Sequence, residues 1–184
     1  MPLSPDEAAD ALRDISKTEQ WSSTAYGYRM AAPHLILWGV VWAIGYGATA
    51  AKLRWDPLWL VLVLTGSLGS FWIGWRMSRG RAKKAFDWRF GATFVAVVLF
   101  ISAVFVVMPP RTDAQIGAFF PILVALYYAL IGIWTRGARM LIAGAALAIL
   151  TLIGFLYLQS QFAMWMTIVG GGGLILGGLW LRSA

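Results

Sequence analysis

Residues 116–134 read IGAFFPILVALYYALIGIW and residues 140–158 read MLIAGAALAILTLIGFLYL, two runs of nineteen without a single charged side chain. A helix needs about 20 such residues to cross the ~30 Å hydrocarbon core of a bilayer. Thr135 to Arg139 separates the two runs and is too short for anything but an antiparallel return. Outward from this pair, comparable runs lie at Pro33 to Ala51, Leu58 to Met77, Phe90 to Met108 and Ala163 to Leu181. The reading is an all-α integral membrane protein. Residues 33–184 form six transmembrane helices in short-looped antiparallel hairpins, preceded by a cytoplasmic tail, residues 1–32, with a short amphipathic helix over about 5–19.

Composition agrees. Of 184 residues, 60% are hydrophobic and 12% charged, against about 25% charged in ordinary soluble domains. With no cysteine and one histidine, the chain lacks thiol chemistry and nearly everything from which an imidazole metal centre is built. His34, with Met30 or Met77 as second ligand, is the sole conceivable haem site, and an interfacial histidine is its plainer reading. No cofactor or metal is expected.

Lys and Arg set the orientation, because cytoplasmic loops retain positive charge. Arg13, Lys17, Arg29, the six bases from Arg76 to Arg89, Arg136, Arg139 and Arg182 fall on one face; Lys52, Arg54 and Arg111 fall on the other. That places both termini in the cytoplasm of a bacterial inner membrane, with no secretory signal peptide expected. Trp55, Trp59 and Trp165 at outer ends and Trp75, Trp88, Trp134 and Trp180 at inner ends read as an aromatic belt. Gly-x-Trp-x-Arg recurs at residues 132–136 and 178–182; duplicated hairpins would produce this, and so would any helix leaving on the cytoplasmic side.

Two extramembrane segments are distinctive. Ser4-Pro5-Asp6-Glu7 is a helix start signal, followed by Ala8, Leu12 and Ile15 on one face. The tail is acidic and better suited to a protein partner than to an anionic surface. Arg76, Arg79, Arg81, Lys83, Lys84 and Arg89 form a basic cluster that attracts anionic headgroups at about 1 kcal/mol per base. Nucleic acid is not expected there, since the loop offers no groove-reading element.

The span interiors carry no Asp, Glu, Lys or Arg, which argues against ion-coupled carriers and intramembrane hydrolases. They carry small residues instead. Gly39, Ala43, Gly47 and Ala51 repeat every four residues, as do Gly66, Ser70 and Gly74, and helices in lipid approach closely along such ladders. In the last span, Gly170, Gly171, Gly172 and Gly173 are consecutive. Gly173 and Gly177 are read as a packing contact; the competing reading is a helix break at Gly170, Gly171 and Gly172 that opens a cavity, matched by Pro121.

These features favour a non-enzymatic membrane protein that acts through helix packing, as a homo-oligomer or as a small subunit or modulator of a membrane complex. A carrier or channel for an uncharged or lipophilic solute is the alternative.

Overall fold

The computed structural model describes the backbone of residues 5–53, 57–79 and 88–183. The elements are α1 (Pro5–Ala50), α2 (Leu58–Ser78), α3 (Trp88–Val107), α4 (Asp113–Trp134) and α5 (Ala138–Tyr157). A 3-10 turn (Gln159–Gln161), α6 (Phe162–Met166), a π-helical segment (Thr167–Gly172) and α7 (Gly173–Arg182) follow as one continuous helical stretch. No strand occurs among the described residues. Five stretches are long and apolar enough to cross a membrane: Ala25–Ala50, Leu58–Met77, Asp113–Trp134, Ala138–Tyr157 and Gln159–Arg182. In α3 the described apolar stretch is Gly91–Val107. The architecture is that of an all-helical, multi-pass membrane protein.

The tail helix starts at Pro5, yet it does not end near residue 19 but continues to Ala50 as part of a 46-residue helix. The reason is local. Between residues 20 and 32 the chain has one glycine and no proline, so nothing stops propagation. Pro33 then sits inside the helix, where it removes one backbone hydrogen bond to the preceding turn.

α4 starts three residues before the expected Ile116, because Thr112 and Gln115 form a capping box. The Thr112 hydroxyl accepts from the Gln115 N–H at 3.2 Å, and the Gln115 side-chain oxygen accepts from the Thr112 N–H at 3.2 Å. It ends in a Schellman arrangement, with Gly137 N–H donating to the Gly132 carbonyl at 2.8 Å and Arg136 held left-handed at φ 52°. α5 begins directly after. This tight return makes α4 and α5 an antiparallel pair.

Packing follows a common spacing. In α4 the buried residues are Ala118, Pro121, Ala125, Tyr128 and Gly132; in α5 they are Met140, Gly144, Leu147, Thr151 and Gly154. Both stripes alternate steps of three and four, the seam of left-handed helix pairs crossing near +20°. Where the stripes meet, the backbones touch: a β-carbon on Gly144 would stand 2.6 Å from the Ala125 carbonyl oxygen, and one on Gly132 would stand 2.5 Å from the Leu141 nitrogen.

Two tyrosines of α1 fasten it to this pair at opposite ends. The Tyr46 hydroxyl donates to the Gly117 carbonyl at the start of α4, and the Tyr28 hydroxyl accepts from the Arg139 N–H at 3.2 Å at the start of α5.

Candidate functional site

The closest helix approach outside the α4–α5 pair runs between α1 and the last span, and it uses the glycines. A β-carbon on Gly39 would lie 2.8 Å from the Gly171 carbonyl oxygen and 2.9 Å from the Ile175 nitrogen. One on Gly171 would lie 2.7 Å from the Ala43 β-carbon, and one on Gly178 would lie 2.8 Å from the Ala32 carbonyl oxygen. Gly47, one step further along, faces the Thr167 methyl at 3.6 Å. As the chain rises from Ala32 to Gly47 on α1, its partner descends from Gly178 to Thr167. The two helices are therefore antiparallel, and backbone meets backbone from Ala32 to Ala43, about three turns.

Thus Gly39 and Ala43 meet Gly171, and Gly47 meets Thr167, so that the α1 ladder lies against the last span of the same chain. Gly173 and Gly177 do not form the contact. Nothing lies within 4 Å of a β-carbon on Gly173, and Gly177 meets only Leu35 at 3.6 Å. The residues that sequence reading passed over are Gly178 in this seam and Gly132 and Gly144 in the α4–α5 pair. Their signal was available as small residues on the same face as later-buried Ala125 and Leu181.

The chain does not break at Gly170, Gly171 and Gly172, the competing reading of these glycines: the π-helical segment runs directly from α6 into α7. Backbone angles stay right-handed helical at both borders of the π segment, with Thr167 at φ −58°, ψ −46° and Gly172 at φ −63°, ψ −42°. Pro121 is likewise enclosed within an unbroken, well-packed α4. The widened turns have a geometric cause. Phe162, Met166, Gly170, Leu174 and Gly178 are all buried, a repeat of four that an ordinary 3.6-residue helix would rotate progressively off one face. A π segment, with more residues per turn, keeps that stripe against α1. Gly170 then fits beside Trp42 and Met166, both buried.

The ladder on α2 is used in part. Gly66 faces Val41 at 3.2 Å and the Trp38 ring at 3.4 Å, and the Trp38 Nε1–H donates to the Ser70 hydroxyl at 3.1 Å. A β-carbon on Gly74 would meet nothing within 4 Å. Two belt tryptophans are also packed into glycine notches. Trp59 covers Gly45, with a β-carbon there 2.6 Å from its ring, and Trp165 covers Gly154 while its Nε1–H donates to the Leu150 carbonyl at 2.9 Å.

In the basic cluster, the Arg76 guanidinium lies 5.3 Å from the Trp72 ring centroid and that of Arg79 lies 3.7 Å from the Trp75 centroid. Both cations stand over aromatic faces. Arg81, Lys83 and Lys84 lie outside the described residues, and Arg89 is described by its backbone alone.

A groove of about 190 Å³ remains between α5 and the last span, bordered by Leu35, Ala146, Leu150, Val169, Gly173 and Trp180 among others. Its glycines are Gly173 and Gly177 rather than Gly170 to Gly172. Nearby on α5, the Thr151 hydroxyl is wholly buried and without a hydrogen-bond partner.

No family model matches the chain, and no curated protein or solved structure is significantly similar to it.

Proposed function

We propose that this chain is a non-enzymatic subunit or modulator of a bacterial inner-membrane complex, acting through helix association, with six spans and with the segments before the first and after the last span on the cytoplasmic side. One observation carries this reading. Ala92, Ala96, Leu99 and Ala103 on α3 repeat at steps of four, three and four, the spacing that is buried in α4 and α5, and here all four are exposed. α3 touches its neighbours through Phe105, whose ring lies 5.1 Å from Phe119 and 6.3 Å from Phe120. A stripe of small residues suits close approach of another helix, and this one has no occupant within the described chain. We assign it to a transmembrane helix of a second, different polypeptide.

The membrane orientation is supported by what shares an end of the bundle. Tyr28, Arg139 and Trp180 meet at one end, and Tyr46, Trp59 and Phe162 meet at the other. The first end holds Arg136, Arg139 and Arg182, as the positive-inside rule requires of a cytoplasmic face.

The native chain has no cysteine, so a single introduced thiol is unique. A benzophenone maleimide on Ala96→Cys, activated in isolated native membranes, should couple to one partner species, whereas the same probe on exposed Ile149→Cys of α5 should not. Equal labelling at both positions, or none at either, would overturn the assignment. Coupling only between two copies would replace the subunit reading with a homo-oligomer.

The carrier reading keeps one observation in its favour, the 190 Å³ groove with an unpartnered hydroxyl nearby. Against it, two of the glycines that might have opened a pathway, Gly170 and Gly171, are instead closed against Trp42 and Ala43 of α1.

A further inference from the structure

The geometry points to the groove between α5 and the last span as a binding site for one acyl chain of an anionic phospholipid, with Arg139 holding the phosphate. The inference rests on the membrane placement above but not on any protein partner.

The groove's dimensions come first. Along the last span it runs from Val169 to Trp180, twelve residues, or about 16 Å of helix from first to last. Half of a hydrocarbon core is about 15 Å, so the groove matches the depth of one leaflet. Its walls are aliphatic side chains and two glycines, with Gly173 and Gly177 leaving the floor shallow enough for a methylene chain. The indole of Trp180 closes the end towards the basic face.

At that end stands a cation without a described counter-charge. Arg139 Nη1 donates to the Trp180 carbonyl at 2.7 Å and lies 3.4 Å from the Ser183 hydroxyl, and the guanidinium sits 5.2 Å from the Trp180 ring centroid. These contacts fix its position while leaving further N–H donors unused, since a guanidinium carries five. Asp113 is the one acid whose side chain is described, and it lies at the opposite end of α4. The guanidinium is thus held at the last turn of α7, and a phosphate at this end of the groove would accept from its remaining N–H groups.

The test uses the full chain in mild neutral detergent with phosphatidylglycerol or phosphatidylcholine added at equal concentration, read by native mass spectrometry. The wild type should retain one phosphatidylglycerol in preference to phosphatidylcholine, and excess glycerol phosphate should not displace it. Arg139→Gln should reduce that preference roughly tenfold, the scale of losing a hydrogen-bonded charge partner. Ala146→Trp should fill the groove and lower retention of both lipids. Arg111→Gln removes the same charge at the opposite end of the bundle, beside the start of α4, and should leave retention unchanged. Equal retention of the two lipids by the wild type overturns the proposal, and so does retention by Arg139→Gln and Ala146→Trp at the wild-type level. If both variants fail to fold, the wild-type preference and its resistance to glycerol phosphate still decide it.

Discussion

The seam between α1 and the last span and the attachment of α3 solve the same problem in opposite ways. Along the seam, Gly39, Gly171 and Gly178 bring backbones so close that a β-carbon would fall under 3 Å from the facing chain. On α3, Val98, Leu99, Phe100 and Val106 stay exposed, and Phe105 supplies the ring contacts. α3 is the more apolar of the two regions, so a lack of hydrophobicity does not explain its looser attachment. In lipid it cannot, because tails are as apolar as leucine and association depends on fit. What differs is shape: the seam has small residues answered by small residues, whereas the small stripe on α3 faces outward.

The strongest way to break this contrast is Gly171→Leu. Four added carbons must enter a space already filled by the Ala43 backbone, and neither rigid helix can yield as a side-chain tip would. The expected loss is about 3 kcal/mol or more, at the upper end for overpacking, seen as a lower midpoint in detergent-mediated unfolding. A wild-type midpoint would mean that the seam opens freely and is no closer than the α3 attachment.

On the loose side, Phe105→Ala should cost about 0.5–1.5 kcal/mol, the usual worth of aromatic pairing beyond area. Its signature is regional. A probe on α3 should report detachment at a lower denaturant concentration than a probe on α1, while the seam keeps its wild-type midpoint. A joint shift of both probes would show α3 to be integrated into the core.

Much of this was legible in the chain. Lengths of uncharged apolar runs located the helices, since the bilayer thickness sets that scale directly. The ladder Gly39, Ala43, Gly47 announced a close contact, but a helix face carries no label for its partner, and only the fold brings Gly171 to it. The four glycines left two readings open because glycine has two uses in a membrane, breaking a helix or thinning it. Bilayer surroundings favour the second by demanding that every backbone group be paired. The burial repeat of four from Phe162 to Gly178 was the available clue to the widened turns. The α3 stripe is hard to see in the sequence because Leu99 interrupts Ala92, Ala96 and Ala103.

Smaller effects sharpen the comparison at α2, which lies between the two extremes. Ser70→Ala removes the acceptor of the Trp38 Nε1–H, and hydrogen bonds between membrane helices average about 0.6 kcal/mol. That loss should appear in unfolding of the wild-type and variant proteins and be absent when Trp38 is already Phe, because the bond then has no donor. A full effect in the Trp38→Phe background would assign the cost to something other than the bond.

The last and smallest change tests whether a ladder in sequence is a ladder in space. Gly74 continues the spacing of Gly66 and Ser70, yet its β-carbon would meet nothing within 4 Å. Gly74→Ala should therefore leave the unfolding midpoint unchanged or raise it slightly, because alanine is the better helix former by up to about 1 kcal/mol in water and by less where lipid already enforces the helix. Gly66→Ala is its internal control. There the new methyl would press on Val41 at 3.2 Å, so the midpoint should fall. Equal falls at both positions would mean that α2 lies against a further helix along its whole length, and the division between a closed seam and open outer helices would have to be redrawn. A fall at Gly66 alone places the end of the α1–α2 contact between residues 70 and 74, where the ladder persists in sequence but an added methyl has open space.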